Sequence, residues 1–138
     1  MLKNFTFLLV GKFLPTKEKI RDAYLIKEHA LKAAQLKPDD ATTQYLLGRW
    51  CYTVANTDFV TRTAASLFFA TPPSSTFEEA LQYLLKANEL NPNAIRTKIS
   101  IGDTYAAIKD PTKAKEWYKK ATETPVNGKA EKGIFLLS

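Results

Sequence analysis

TFEEALQYLLKANELNPNAIRTKISIGDTYAAIKDPTKAKEWYKKATETP, residues 76–125, is the stretch that decides the fold. Within it Ala80 and Ala114, Leu84 and Tyr118, and Ala87 and Ala121 all recur with a period of 34. Small residues at such positions let neighbouring helices approach closely, as does Gly102. Thr76 with Glu79 has the T-x-x-E pattern of a capping box. Asp110 followed by Pro111 is a cap with proline at the first helical position. Pro92 forces the residue before it out of the helical region and stops the helix that precedes it.

Upstream, the same signals return at a longer interval. Gly48 and Gly102, Ala33 and Ala87, and Pro38 and Pro92 are separated by 54, which is 20 more than 34. Gly102 to Ala114 is 12 whereas Gly48 to Ala80 is 32, so the extra 20 fall between Gly48 and Ala80. A period of 34 is that of a tetratricopeptide unit: helix A, a turn, helix B. The expected fold is therefore all-α, with tetratricopeptide-like antiparallel helix pairs in a right-handed superhelix and one extra inserted helix. Helices are expected at 17–37, 41–54, 59–70, 76–90, 94–108 and 111–123, with boundaries good to about ±2–4 residues. Asp40 and Asn93 are the expected caps of the two A helices. Tyr105 and Cys51 fill equivalent places between helices. The insertion, about 56–75, contains FVTRTAASLFFA closed by Pro72-Pro73 and reads as a helix with an apolar face. Residues 1–16 form an atypical N-terminal segment, 17–125 the repeat domain, and 126–138 a C-terminal segment with a short closing helix over Lys129–Leu137.

The composition limits the chemistry. The chain of 138 residues holds one Cys, one His and one Met, with 45% hydrophobic and 25% charged residues. One Cys excludes a disulfide framework or a thiolate zinc cluster, and one His excludes a site built on two imidazoles. No run reaches the roughly 18–20 apolar residues of a membrane span. Residues 1–14, MLKNFTFLLVGKFL, have too short an apolar run and no cleavage site for a signal peptide. The net charge is +6, with basic residues concentrated at the two ends and a mildly acidic middle. That balance favours an acidic partner without naming one.

Candidate reactive residues have plainer readings. His29 sits mid-helix with no nucleophile nearby. Cys51 falls at a packing position. Glu78-Glu79 occupy a helix's first turn, where carboxylates favour the dipole. Phe68-Phe69-Ala70-Thr71 lacks the acidic flanks of the contact motif its letters spell, and reads as packing. No phosphate loop, dinucleotide fingerprint or metal spacing occurs. No catalytic, cofactor-binding or metal-binding residue is assigned, and no cofactor or nucleic-acid partner is expected. On the concave face the ligand-facing offsets select Thr42, Tyr45, Arg49 and Tyr52, then Arg96, Ile99, Asp103 and Ala106. The cationic clamp that grips C-terminal carboxylates is absent from them. Arg49 and Arg96 are candidate contacts for an acidic peptide, with a structural salt bridge as the rival reading.

LLGRWCYTVAN (Leu46–Asn56), the inserted helix, and TPPSSTFEEALQYLLKANELNPN (Thr71–Asn93) resemble the regulator of microtubule dynamics family. The resemblance covers about residues 17–125. It implies a non-catalytic module that associates with microtubules, in the cytoplasm, on the cytoskeleton and at spindle poles, and that helps regulate microtubule dynamics and chromosome segregation. Residues 1–14 depart from the family, and the chain stops soon after the third unit, as a fragment or short isoform would. A generic peptide-binding adaptor with no cytoskeletal role is the rival reading. Through the resemblance, the acidic tails of tubulin become the expected partner. The residues expected to meet them are Lys113, Lys115, Lys119 and Lys120 on the last B helix, with Arg49 and Arg96 secondary and Trp117 and Tyr118 packed inward. At about 100° per residue Lys113 and Lys120 share one side, and Lys115 and Lys119 an adjacent one.

Overall fold

The computed structural model describes residues 17–57 and 74–126. Among these residues there are five helices and no strand: α1 (Lys17–Leu36), α2 (Ala41–Ala55), α3 (Phe77–Leu90), α4 (Ile95–Ala107) and α5 (Pro111–Glu123). Each packs on its neighbour in the chain; α2 pairs most extensively with α3, α4 with α5, and α3 also packs on α4. The links at 91–94 and 108–110 are short enough to force antiparallel neighbours. This is the expected all-α, tetratricopeptide-like arrangement, with helix bounds within one or two residues of those expected. The helix expected at 59–70, the segment 1–16 and the closing helix over Lys129–Leu137 lie outside the described residues.

The small residues act where the spacing placed them. On α3, Ala80, Leu84 and Ala87 are all at most 1% exposed, and their i, i+4, i+7 spacing puts them on one face. That face meets α2, whose Leu47, Gly48 and Cys51 are buried. A Cβ on Gly48 would stand 2.6 Å from Leu84 Cγ and 3.2 Å from the Ala80 carbonyl oxygen. At the equivalent crossing, a Cβ on Gly102 would stand 2.5 Å from Tyr118 Cε1. Ala114 and Ala121 are buried on α5, as Ala80 and Ala87 are on α3. Cys51 is fully buried while Tyr105 is half-buried.

The caps follow the sequence with two corrections. Asp40 accepts hydrogen bonds from the Thr42 amide at 3.2 Å and the Thr43 hydroxyl at 2.7 Å. Asn93 does not cap α4. The cap position belongs to Ala94, which has no side-chain acceptor. Ala94 follows Asp40 at the same interval of 54, so the repeat register picks it, and Asn93 corresponds instead to Asp39. Thr76 accepts from the Glu79 amide at 3.0 Å. Glu79 does not return the bond to Thr76; it accepts from the Ser75 hydroxyl at 2.7 Å. Asp110 accepts from the Lys113 amide at 3.1 Å, with Pro111 at the helix start. The preceding turn closes through Lys109 in the left-handed region, φ 74°. The amides of Lys109 and Asp110 then bond back to the carbonyls of Ala106 and Tyr105, which ends α4 in the Schellman manner.

Two polar pairs are buried at equivalent positions, Thr43 and Gln44 on α2 with Thr97 and Lys98 on α4. The Lys98 ammonium donates to the Pro92 carbonyl, so the residue that stops α3 also gives α4's buried cation an acceptor. Burial, and the nearby charge of Lys120, hold the Lys98 pKa below its ordinary value. At the other end, α1 is joined to α2 by Trp50, whose indole N–H donates to the Ala23 carbonyl at 2.9 Å. Lys27 lies over the Trp50 ring at 4.7 Å.

Candidate interaction surfaces

The α5 lysines are all exposed, but two of them are paired. Lys120 lies 3.1 Å from Glu116 and Lys119 3.9 Å from Glu123, both i, i+4 pairs. Exposed pairs of this kind contribute about 0.3–0.5 kcal/mol each. They lower the local cationic potential, leaving Lys113 and Lys115 as the α5 lysines without a carboxylate partner among the described residues. Lys113 lies 5.4 Å from the Tyr105 ring centre, and Lys120 lies 4.2 Å from that of Trp117. Lys113 and Lys120 therefore border α4, where Lys120 also bears on Lys98.

Tyr118 departs from the inward position expected of it. Its inner ring face covers Gly102, yet it remains 36% exposed. Its hydroxyl donates to Asp103 at 2.6 Å. Partial burial, then the Asp103 hydrogen bond and charge, push its pKa up to about 12. The sequence reading missed this bond, although Asp103 directly follows the glycine that Tyr118 covers. Trp117 is half-buried.

Arg49 and Arg96 form no salt bridge among the described residues. Each guanidinium lies over a tyrosine instead. Arg49 is 5.1 Å above Tyr52, and Arg96 reaches from α4 to 4.6 Å over Tyr45 on α2. Tyr52 in turn meets Phe77 at 5.6 Å between ring centres. The structure thus brings Arg49 and Arg96 to one face with Tyr45 and Tyr52 and keeps the lysines on α5.

Among the described residues no group of three or more His, Cys, Asp or Glu could hold a metal ion. No described helix is long and apolar enough to cross a membrane. Cys51 is sealed in the core, and burial pushes its thiol pKa up.

The paired helices, the glycine crossings and the repeat register define a tetratricopeptide-like helical-repeat domain. The solved structure of MamA MSR-1 C2, which has this fold, aligns with a TM-score of 0.57 at 19% identity over 77% of this chain and 49% of that one. The family model for Regulator of microtubule dynamics protein 1-3 matches residues 6–134, and the chain belongs to that family. Regulator of microtubule dynamics protein 1 of Bos taurus is 42% identical over 126 residues, which are 91% of this chain and 40% of the relative. The Mus musculus protein of that name is 43% identical, again over 91% of this chain and 41% of the relative. Regulator of microtubule dynamics protein 3 of Xenopus laevis is 41% identical over 109 residues, 78% of this chain and 24% of the relative. The chain therefore spans about two-fifths of the protein 1 relatives.

Proposed function

We propose that this chain is a non-catalytic interaction module that associates with microtubules and takes part in regulating their dynamics. Family membership over residues 6–134 carries the reading. By the same reading it works in the cytoplasm on the cytoskeleton, at spindle poles, and serves chromosome segregation. The repeat domain is residues 17–125, and its attachment is electrostatic. Lys113, Lys115, Lys119 and Lys120 present a basic face on α5 to the acidic tails of tubulin. Glu116 and Glu123 moderate that face, so Lys113 and Lys115 carry more of the attraction than Lys119 and Lys120.

Co-sedimentation of the 138-residue chain with purified microtubules tests this directly. Pelleting is expected at low salt. It should fall steeply as the Debye length shrinks from about 10 Å at 0.1 M to about 3 Å at 1 M. Reversing the four lysines to Glu should abolish it with helicity intact. Pelleting that ignores salt and the four reversals would sink this attachment, and no pelleting at any salt would leave the adaptor reading in its place.

A further inference from the structure

On α2, Tyr45, Arg49 and Tyr52 stand at i, i+4 and i+7, one ridge of the helix. Arg96 crosses from α4 to lie over Tyr45, and Arg49 lies over Tyr52. Two guanidiniums are thus held against aromatic faces. No carboxylate among the described residues pairs with either, although Asp103 lies on α4 itself. That acid is occupied by the Tyr118 hydroxyl at 2.6 Å. A guanidinium placed by stacking loses little further freedom when its planar fork meets a carboxylate.

The spacing restricts the ligand. Tyr45 and Tyr52 are seven residues apart, about 10.5 Å along the helix axis, and each carries one guanidinium. A polyproline II segment rises about 3.1 Å per residue with three residues per turn, so side chains at i and i+3 share a face about 9 Å apart. A β-strand offers the same face about 6.7 or 13.4 Å apart, a poorer match. Aromatic-lined grooves take proline-rich extended segments, whose low conformational entropy favours docking. We propose that the face carrying Tyr45, Arg49, Tyr52 and Arg96 docks an extended, proline-containing acidic segment of a partner protein, with carboxylates three residues apart. The argument is charge complementarity and span, and it does not rest on microtubule association or on the α5 lysines. Asp103, held by Tyr118, repels any carboxylate that runs past the arginine pair, and so limits how much acid the face accepts.

The test uses the full chain and synthetic peptides followed by fluorescence anisotropy at low salt. The first peptide repeats Glu-Pro-Pro. The second has the same composition with its Glu residues contiguous, the third has Lys for Glu, and the fourth is a stable helix with Glu seven residues apart. An oligothymidylate is the polyanion control. The first peptide is expected to bind tightest. R49A/R96A should weaken it at least about tenfold, the loss of one charge-assisted hydrogen bond or more. R49K/R96K should lose most of that binding despite keeping the charge. D103N should tighten it about two- to threefold by removing a like charge. Reversal of the α5 lysines should leave the dependence on Arg49 and Arg96 in place. If a variant unfolds, ring resonances of Tyr45 and Tyr52 in the unaltered chain must still shift on adding the first peptide. Equal binding of the contiguous peptide, tighter binding of the helical peptide or the oligonucleotide, or indifference to both arginines would each overturn the proposal.

Discussion

Leu84 and Tyr118 hold the same place in successive units, one period apart, and each lies across a glycine on the preceding helix. Leu84 is 0% exposed and Tyr118 is 36% exposed. The difference comes from position in the stack. α3 packs on both α2 and α4, whereas α5 packs extensively on α4 alone among the described helices. An interior crossing admits an aliphatic side chain, which has no polar group to satisfy. A crossing whose sealing side chain stays partly exposed admits a ring whose hydroxyl reaches Asp103. The repeat thus sets the backbone approach, and the exposure of each crossing sets which side chain can seal it.

The largest expected effects test that contrast by truncation. Leu84→Ala leaves a cavity with no open side, and should cost about 2–5 kcal/mol in urea unfolding. Tyr118→Ala removes a ring already partly in water, and should cost about 1–2 kcal/mol. Glycine substitution gives the same ranking from the other side of the interface. At Gly48 a methyl group meets the sealed Leu84 and the Ala80 backbone, so Gly48→Ala should cost about 1–3 kcal/mol by overpacking. At Gly102 the exposed ring can swing outward, so Gly102→Ala should cost less while loosening the Tyr118–Asp103 bond. Equal costs at the two crossings would break the comparison.

The fold is legible in the sequence because its signals are local and repeated. Alanine spacing, Asp40, Asp110-Pro111 and the prolines each act within a turn or two, so periodicity alone places five helices. The surfaces are less legible because they depend on contacts between helices. Arg49 and Arg96 follow from offsets, but the tyrosines beneath them depend on how α4 lies against α2. The Tyr118 bond to Asp103 depends on how α5 lies against α4, which no spacing records. Asn93 reads as a cap only when residue type is weighed above register. The basic character of α5 is visible, but the pairing of Lys119 and Lys120 with Glu123 and Glu116 softens it.

The contrast between Asp40 and Ala94 at the two helix starts points to a smaller and more informative change. The two residues have nearly the same backbone, φ −83° and ψ 106° against φ −82° and ψ 104°. One has a side-chain acceptor and the other does not. Asp40→Ala should therefore lower the thermal midpoint by leaving the Thr42 amide without its acceptor. Ala94→Asp should raise it, gaining about 0.5–1 kcal/mol, since its carboxylate can accept from the first-turn amides of α4. An unchanged midpoint for Ala94→Asp would show that equal dihedrals are not enough to make the two helix starts equivalent.

The smallest effect separates the two crossings by pH. The ordinary phenol pKa is about 10, and in the folded chain that of Tyr118 is pushed up to about 12. Folding therefore favours the neutral phenol, which burial tolerates and which donates to Asp103. The resulting stability is fully present below about pH 10 and is lost as pH rises through about 12. Tyr118→Phe removes this contribution together with the hydrogen bond, at a neutral-pH cost of about 1 kcal/mol or less for an exposed site. Other groups titrate in the same range, so the useful quantity is the stability difference between the unaltered chain and the variant. It should be constant up to about pH 10 and shrink between about 10 and 12. Leu84 itself does not titrate, and the Cys51 thiol buried in the same interface is common to the unaltered chain and the variant, so the Leu84→Ala deficit should stay nearly level over that interval. A Tyr118→Phe deficit that also stays level would mean that Asp103 and the phenol proton contribute nothing to the outer crossing, leaving the ring's packing on Gly102 as its whole role.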